Sequence, residues 1–233
     1  LDSFALNELR LERQLAGTSE PAALTLAQLT TLLRGDPQAY LELATDYANA
    51  GLWPEAVGVL RSFLAVSHAT APVPPLIAYT LAYCLEQEKQ TGAAMDFYRL
   101  AAQGKPDLCF PLRFEEEAIL RRAMEANPQD ALAPYYLGCL LYDHQPAEAI
   151  EAWERSRELN RRFALSHRNL GLAYAQHRKD TAQAIASLEQ AVDTIFAAVK
   201  HGNRGETYIP RVPAARVVDV AAALIADRPI KTA

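Results

Sequence analysis

Cys139, His144, His167 and His177 lie in or beside the best-patterned stretch of the chain. Thiolate and neutral imidazole are the ligands of a tetrahedral zinc site, but such sites pair their ligands at short spacing, and neither C-x-x-C nor H-x-x-x-H occurs here. Solvated or edge-packed histidines are expected, and no metal. Glu115, Glu116 and Glu117 suggest an acid and a base, yet consecutive helical residues point in different directions. Solvated carboxylates paired to Arg121 and Arg122 are the expectation. Nothing marks a strained nucleophile turn, so the chain is expected to have no catalytic residue, no cofactor and no enzymatic activity. Arg155, Arg157, Arg161, Arg162 and Arg168 form the strongest basic cluster. Glu151, Glu154 and Glu158 sit at helical spacing around it, which predicts a salt-bridged surface rather than a nucleic-acid site.

Composition points the same way. Half of the 233 residues are hydrophobic and only ten are glycine, as in an all-helical chain. The formal charge of −5 argues against nucleic acid as the main partner. It is unevenly spread: residues 1–149 carry ten Lys/Arg against nineteen Asp/Glu, and 150–233 carry thirteen against nine. Three cysteines, Cys84, Cys109 and Cys139, make no disulfide framework and read as free thiols of a reducing compartment. No apolar run is long enough to span a membrane, and the amino end has no basic-then-apolar leader; the expectation is a cytoplasmic protein.

The elements that must position these groups are helices. Residues 131–191 contain one helical hairpin written twice, first as Tyr136-Leu137-Gly138, Leu141-Tyr142, Ala149-Ile150, Trp153 and Ser156, then as Asn169-Leu170-Gly171, Ala173-Tyr174, Ala184-Ile185, Leu188 and Ala191. Gly138 and Gly171 are 33 residues apart and Ala149 and Ala184 are 35 apart, bracketing the ~34-residue period of a helix-turn-helix repeat. Small residues at Gly138 and Gly171 let two helices approach closely, with Ala149 and Ala184 meeting them. One hairpin cannot bury its own apolar face, so neighbours must stack.

Read along the chain, residues 1–35 give two N-terminal helices, over 1–16 and 21–33. Tyr40, Leu43, Ala44, Tyr47, Gly51, Ala56, Leu60 and Phe63 then fill a complete repeat, and Ala78, Leu81, Ala82, Leu85, Ala94, Tyr98 and Ala101 a second. The repeat array is placed at 36–191, with an irregular half repeat near 107–127. A tail over 192–233 carries a capping helix at 214–226.

These positions resemble the tetratricopeptide repeat family. The resemblance implies an all-α solenoid, a right-handed superhelix of antiparallel helix pairs, acting as a non-catalytic scaffold that binds protein or peptide on its concave face. Mapping signature positions places Gln38, Leu41, Thr45 and Asn49 on that face, then Tyr79, Tyr83 and Glu86, then Leu132, Tyr135, Cys139 and Tyr142, and lastly Arg168, Asn169, Leu172 and Gln176. Tyrosines with an apolar body and a polar tip suit peptide recognition. Some family members grip a terminal carboxylate with a Lys/Asn/Arg clamp. Here only Arg168 and Asn169 resemble its parts, which argues against chaperone-tail binding.

Two further resemblances carry other expectations. Cys109-Phe110-Pro111, Tyr135-Tyr136-Leu137-Gly138 and His167-Arg168-Asn169-Leu170-Gly171 look like the helical carboxy-terminal region of bacterial proteins with an amino-terminal β-sandwich domain. That implies such a domain as a partner, and a region whose helices pack on it alone. Gly205-Glu206-Thr207-Tyr208-Ile209-Pro210-Arg211-Val212-Pro213 and the residues around it, roughly 188–226, resemble a piece of nucleotide-sugar dehydratases of the extended short-chain dehydrogenase family. The dinucleotide loop and the Tyr-x-x-x-Lys pair of those enzymes are absent. The implied alternative is an accessory or fused fragment of a carbohydrate-pathway enzyme, and Thr207–Val212 is expected to be a loop.

Overall fold

In a computed structural model of the chain, residues 2–66, 72–106 and 110–200 are described, and every regular element among them is a helix. They divide into two compact units, 1–104 and 105–233.

The first unit holds three antiparallel hairpins: α1 (Ser3–Leu15) with α2 (Ser19–Leu33), α3 (Pro37–Asn49) with α4 (Trp53–Val66), and α5 (Pro75–Gln87) with α6 (Thr91–Ala102). Local chemistry sets their ends. The Asp2 carboxylate accepts from the Ala5 amide at 2.8 Å, and that of Asp36 from the Gln38 amide at 3.0 Å, with Pro37 opening the helix behind it. Gly51, at φ 74°, makes the left-handed turn between α3 and α4. The repeat positions Tyr40, Leu43, Ala44, Tyr47, Ala56, Leu60 and Phe63 are all buried, as their periodicity requires. The helix pair at 1–35 joins the same packing. Phe4 stacks on Tyr47 with ring centroids 4.9 Å apart, and Asn7 Nδ2 donates to the Tyr47 hydroxyl at 2.9 Å.

The second unit begins with a single helix, α7 (Glu115–Ala126), which packs on α8 (Leu132–Leu141). Two hairpins follow. α8 pairs with α9 (Pro146–Leu159), and α10 (Ala164–Ala173), continued by a π-helical turn at Tyr174–Arg178, pairs with α11 (Thr181–Lys200). Asp130 caps α8 by accepting from the Leu132 and Ala133 amides at 2.7 and 3.2 Å. Asp180 caps α11 through the Gln183 amide at 2.9 Å.

The expected small-residue contacts are present with a change of partner. A β-carbon added at Gly138 would meet the Trp153 indole, with Cδ1 at 2.5 Å, rather than Ala149; one added at Gly171 would meet Leu188 Cγ at 2.6 Å and the Ala184 carbonyl at 3.1 Å. Trp153 also donates through Nε1 to the Tyr135 carbonyl at 3.1 Å, a bond no aliphatic side chain supplies.

The acidic triplet needs a correction. Glu117 pairs with Arg121 at 2.8 Å as its spacing predicts, but Glu116 is not solvated. It is 2 % exposed, and its Oε2 accepts from the Leu112 and Arg113 amides at 2.6 and 2.8 Å. The non-helical segment before α7 has backbone donors with no helical partner, and a carboxylate in the first turn reaches back to meet them. Burial raises the Glu116 pKa, and the two amides oppose that shift. The expected loop at Thr207–Val212 and capping helix at 214–226 lie outside the described residues, as does Cys109.

Candidate functional site

The residues expected to bind separate into accessible and inaccessible ones. In the first unit Asn49 is exposed at the end of α3, and Tyr83 on α5 is half-buried with its ring edge-on to Trp53 at 6.3 Å. Tyr79, one turn earlier, is fully buried. In the second unit Tyr135 is only 3 % exposed and its ring packs edge-on to Phe163 at 4.8 Å. The even spacing of tyrosines along a first helix does not distinguish a ring that lies in the groove from one that fills the gap to the next hairpin. Tyr135 is of the second kind, and Tyr79 is a core ring.

What remains accessible in the second unit forms one surface on α8, α10 and the π-helical turn. Cys139, Tyr142, Arg168, Asn169 and Leu172 are each half-buried, and Gln176 is exposed. Asn169 Nδ2 donates to Cys139 Sγ at 3.7 Å, Arg168 NH1 donates to Asn169 Oδ1 at 3.0 Å, and the Tyr142 hydroxyl donates to Gln176 Oε1 at 2.5 Å. The π-helical turn brings His177 edge-on to the Tyr142 ring at 5.2 Å, while Trp153 supports that ring from below at 5.1 Å. No composition signal marks a π-helical turn, so the His177 contact was not readable beforehand. The three helical segments thus hold one guanidinium, two carboxamides and a phenol hydroxyl around an apolar strip of Leu172 and the Tyr142 ring.

Burial dominates the electrostatics of this surface. Burial pushes the Cys139 thiol up to about 11, against hydrogen bonds from Tyr135 and Trp153 and the Arg168 charge. It is therefore protonated at neutral pH and a poor nucleophile. Burial, then the neighbouring thiol, raise the Tyr135 hydroxyl as well. Burial also pushes the Cys84 thiol up, to about 12. Among the described residues no three His, Cys, Asp or Glu side chains converge to hold a metal ion, and no helix is long and apolar enough to cross a membrane. His144 lies against the Phe114 ring at 6.4 Å and His167 bonds the Arg161 carbonyl at 2.9 Å.

The basic cluster departs from its expected pairing. Arg155 meets Glu158 at 3.6 Å, one turn along α9. Glu154, however, is engaged from outside its own helix, by Arg178 at 2.7 Å and the Tyr174 hydroxyl at 2.8 Å. Arg157 donates to that hydroxyl at 3.3 Å.

No curated protein matches the chain in sequence. Several solved structures are similar to it. MamA from Desulfovibrio magneticus RS-1 is 23 % identical, with 86 % of this chain and 97 % of that one covered at a TM-score of 0.33. YrrB, a TPR protein with an unusual peptide-binding site, is 20 % identical, with 83 % and 86 % covered at 0.34. PilF of Pseudomonas aeruginosa is 17 % identical, with 97 % and 89 % covered at 0.33. The comparisons lend no support to the dehydratase resemblance or to an amino-terminal β-sandwich partner. The tetratricopeptide repeat model matches residues 41–108 and 140–198, more than half of the sequence, and with its helical hairpins at that period the chain belongs to the tetratricopeptide repeat family.

Proposed function

We propose that the chain is a non-catalytic scaffold that binds a protein or peptide segment on the first-helix face of its repeats, the concave face in this family. In the second unit that face is Cys139, Tyr142, Arg168, Asn169, Leu172 and Gln176; Asn49 and Tyr83 are its accessible positions in the first. The observation that carries the reading is the coupling of α8 to α10 through Asn169–Cys139 and Tyr142–Gln176. It fixes polar tips beside half-buried apolar area, the composition of a recognition surface rather than of a sealed core. An extended peptide laid across the two helices would find amide and guanidinium donors for its carbonyls and Leu172 with Tyr142 for a side chain.

A peptide-display library panned on the full chain tests this. Peptides enriched on the parent should lose affinity about tenfold or more with Arg168→Ala and Leu172→Ala combined, while the melting midpoint shifts far less than for a core truncation. Failure to enrich any sequence, or enriched peptides indifferent to both substitutions, would reject the assignment. Two other readings, an accessory fragment of a carbohydrate-pathway enzyme and helices that pack only on a β-sandwich domain, have no specific observation behind them.

A further inference from the structure

The second unit carries another group of converging side chains, none of which belongs to the recognition face. Arg157 and Glu158 at the end of α9, Arg161 in the turn that follows, His167 on α10 and Gln190 on α11 line a cavity of about 400 Å³. That volume falls in the range of small-ligand sites, about 300–1,000 Å³. The lining sets two guanidinium groups, Arg157 and Arg161, against one carboxylate, Glu158. Glu154 is held by Arg178 and Tyr174, and Glu158 faces Arg155. Arg161 is exposed and has no ion pair among the described residues. Arg157 spends one donor on the Tyr174 hydroxyl and keeps the rest of its five.

His167 adds a buried, orientable group. It is 6 % exposed, and one ring nitrogen lies 2.9 Å from the Arg161 carbonyl. A carbonyl only accepts, so Nε2 carries the proton and Nδ1 is the acceptor of the neutral ring. The same bond ties the position of Arg161 to the cavity wall.

We infer that this cavity binds a single oxyanion, the carboxylate or phosphate group of a protein or peptide partner, with the guanidinium groups of Arg157 and Arg161 as its donors. Guanidinium donors match the planar edge of either group. Gln190 supplies a neutral amide donor. Glu158 on the same rim opposes the anion, which limits affinity and disfavours highly charged ligands. Burial, and after it the Arg157 charge, lower the His167 pKa, while the Arg161 carbonyl opposes them. An anion beside the ring would offset both depressing effects, so anion binding and protonation of His167 should be coupled.

The test is an NMR titration of the full chain with sulfate and, separately, acetate, at ionic strength held constant with chloride. His167 ring signals should move saturably, and its pKa should rise at saturation. Arg161→Gln, an exposed substitution, should weaken the response about tenfold or more. Tighter sulfate than acetate identifies a phosphate-type source, and the reverse a carboxylate. No saturable movement, or the same titration curve in Arg161→Gln and parent, would overturn the proposal, because general screening alone would then account for the effect. Either result leaves the recognition face on α8 and α10 untouched, since none of the cavity residues belongs to it.

Discussion

The Trp153 indole occupies the space that a β-carbon would take at Gly138 while its Nε1 bonds the Tyr135 carbonyl at 3.1 Å. Close approach of α8 and α9 and the anchoring of Tyr135 are therefore one feature. Gly138→Ala should destabilise by about 1–3 kcal/mol through overpacking, and Gly138→Leu should unfold the second unit. Gly58 is the control. It sits on the exposed side of α4 with nothing within 4 Å of an added β-carbon, so Gly58→Ala should stabilise by about 0.5–1 kcal/mol. Urea-unfolding midpoints read both, and a shift of the same sign would refute the packing account.

Much of this was readable before any coordinates. The 33- and 35-residue spacings identified helical hairpins because a tight helix contact demands a small residue at one fixed position per repeat. The same register put Tyr142, Arg168, Asn169 and Leu172 on the first helices of the two hairpins or at their ends, and each is half-buried there. Periodicity failed where two environments share one helical angle. Tyr79 and Tyr135 have the register of a groove residue and the burial of a core one. Glu116 was misread for a different reason: besides Arg113 at 3.6 Å, its partners are backbone amides of a non-helical segment, and backbone donors leave no trace in residue type.

Tyr79→Ala and Tyr135→Ala consequently probe stability rather than recognition. Each removes a buried ring, with an expected loss of about 3–5 kcal/mol. A thermal melt should show the drop before any ligand is added. Parent-like melts for both would return these rings to the binding face.

Glu116→Ala should leave the Leu112 and Arg113 amides without their acceptor. Hydrogen bonds to a charged acceptor contribute about 1.5–3 kcal/mol, and these two are part-buried, so the segment before α7 should loosen. Hydrogen exchange at those two amides is the sharper measurement. Unchanged protection would mean that the carboxylate does not hold the segment. Glu116→Gln keeps one acceptor oxygen and should lie between the parent and the alanine variant.

His167 gives stability a pH dependence of definite sign. Burial lowers its pKa first and the Arg157 charge adds to this, while Glu158 and Arg155 answer one another on the neighbouring helix. A base whose folded pKa lies below its unfolded value, about 6.5, takes up its proton in the unfolded chain first. The contribution of His167 to stability is thus complete above about pH 6.5 and is lost as pH falls toward the lower, folded-state pKa. His167→Gln removes the titration and keeps a donor for the Arg161 carbonyl. The stability difference between parent and variant should accordingly shrink between about pH 7.5 and about pH 5.5. Urea unfolding at the two values measures it. A difference that grew on acidification would mean that the folded chain holds the imidazolium, and that the charge of Arg157 does not reach the ring.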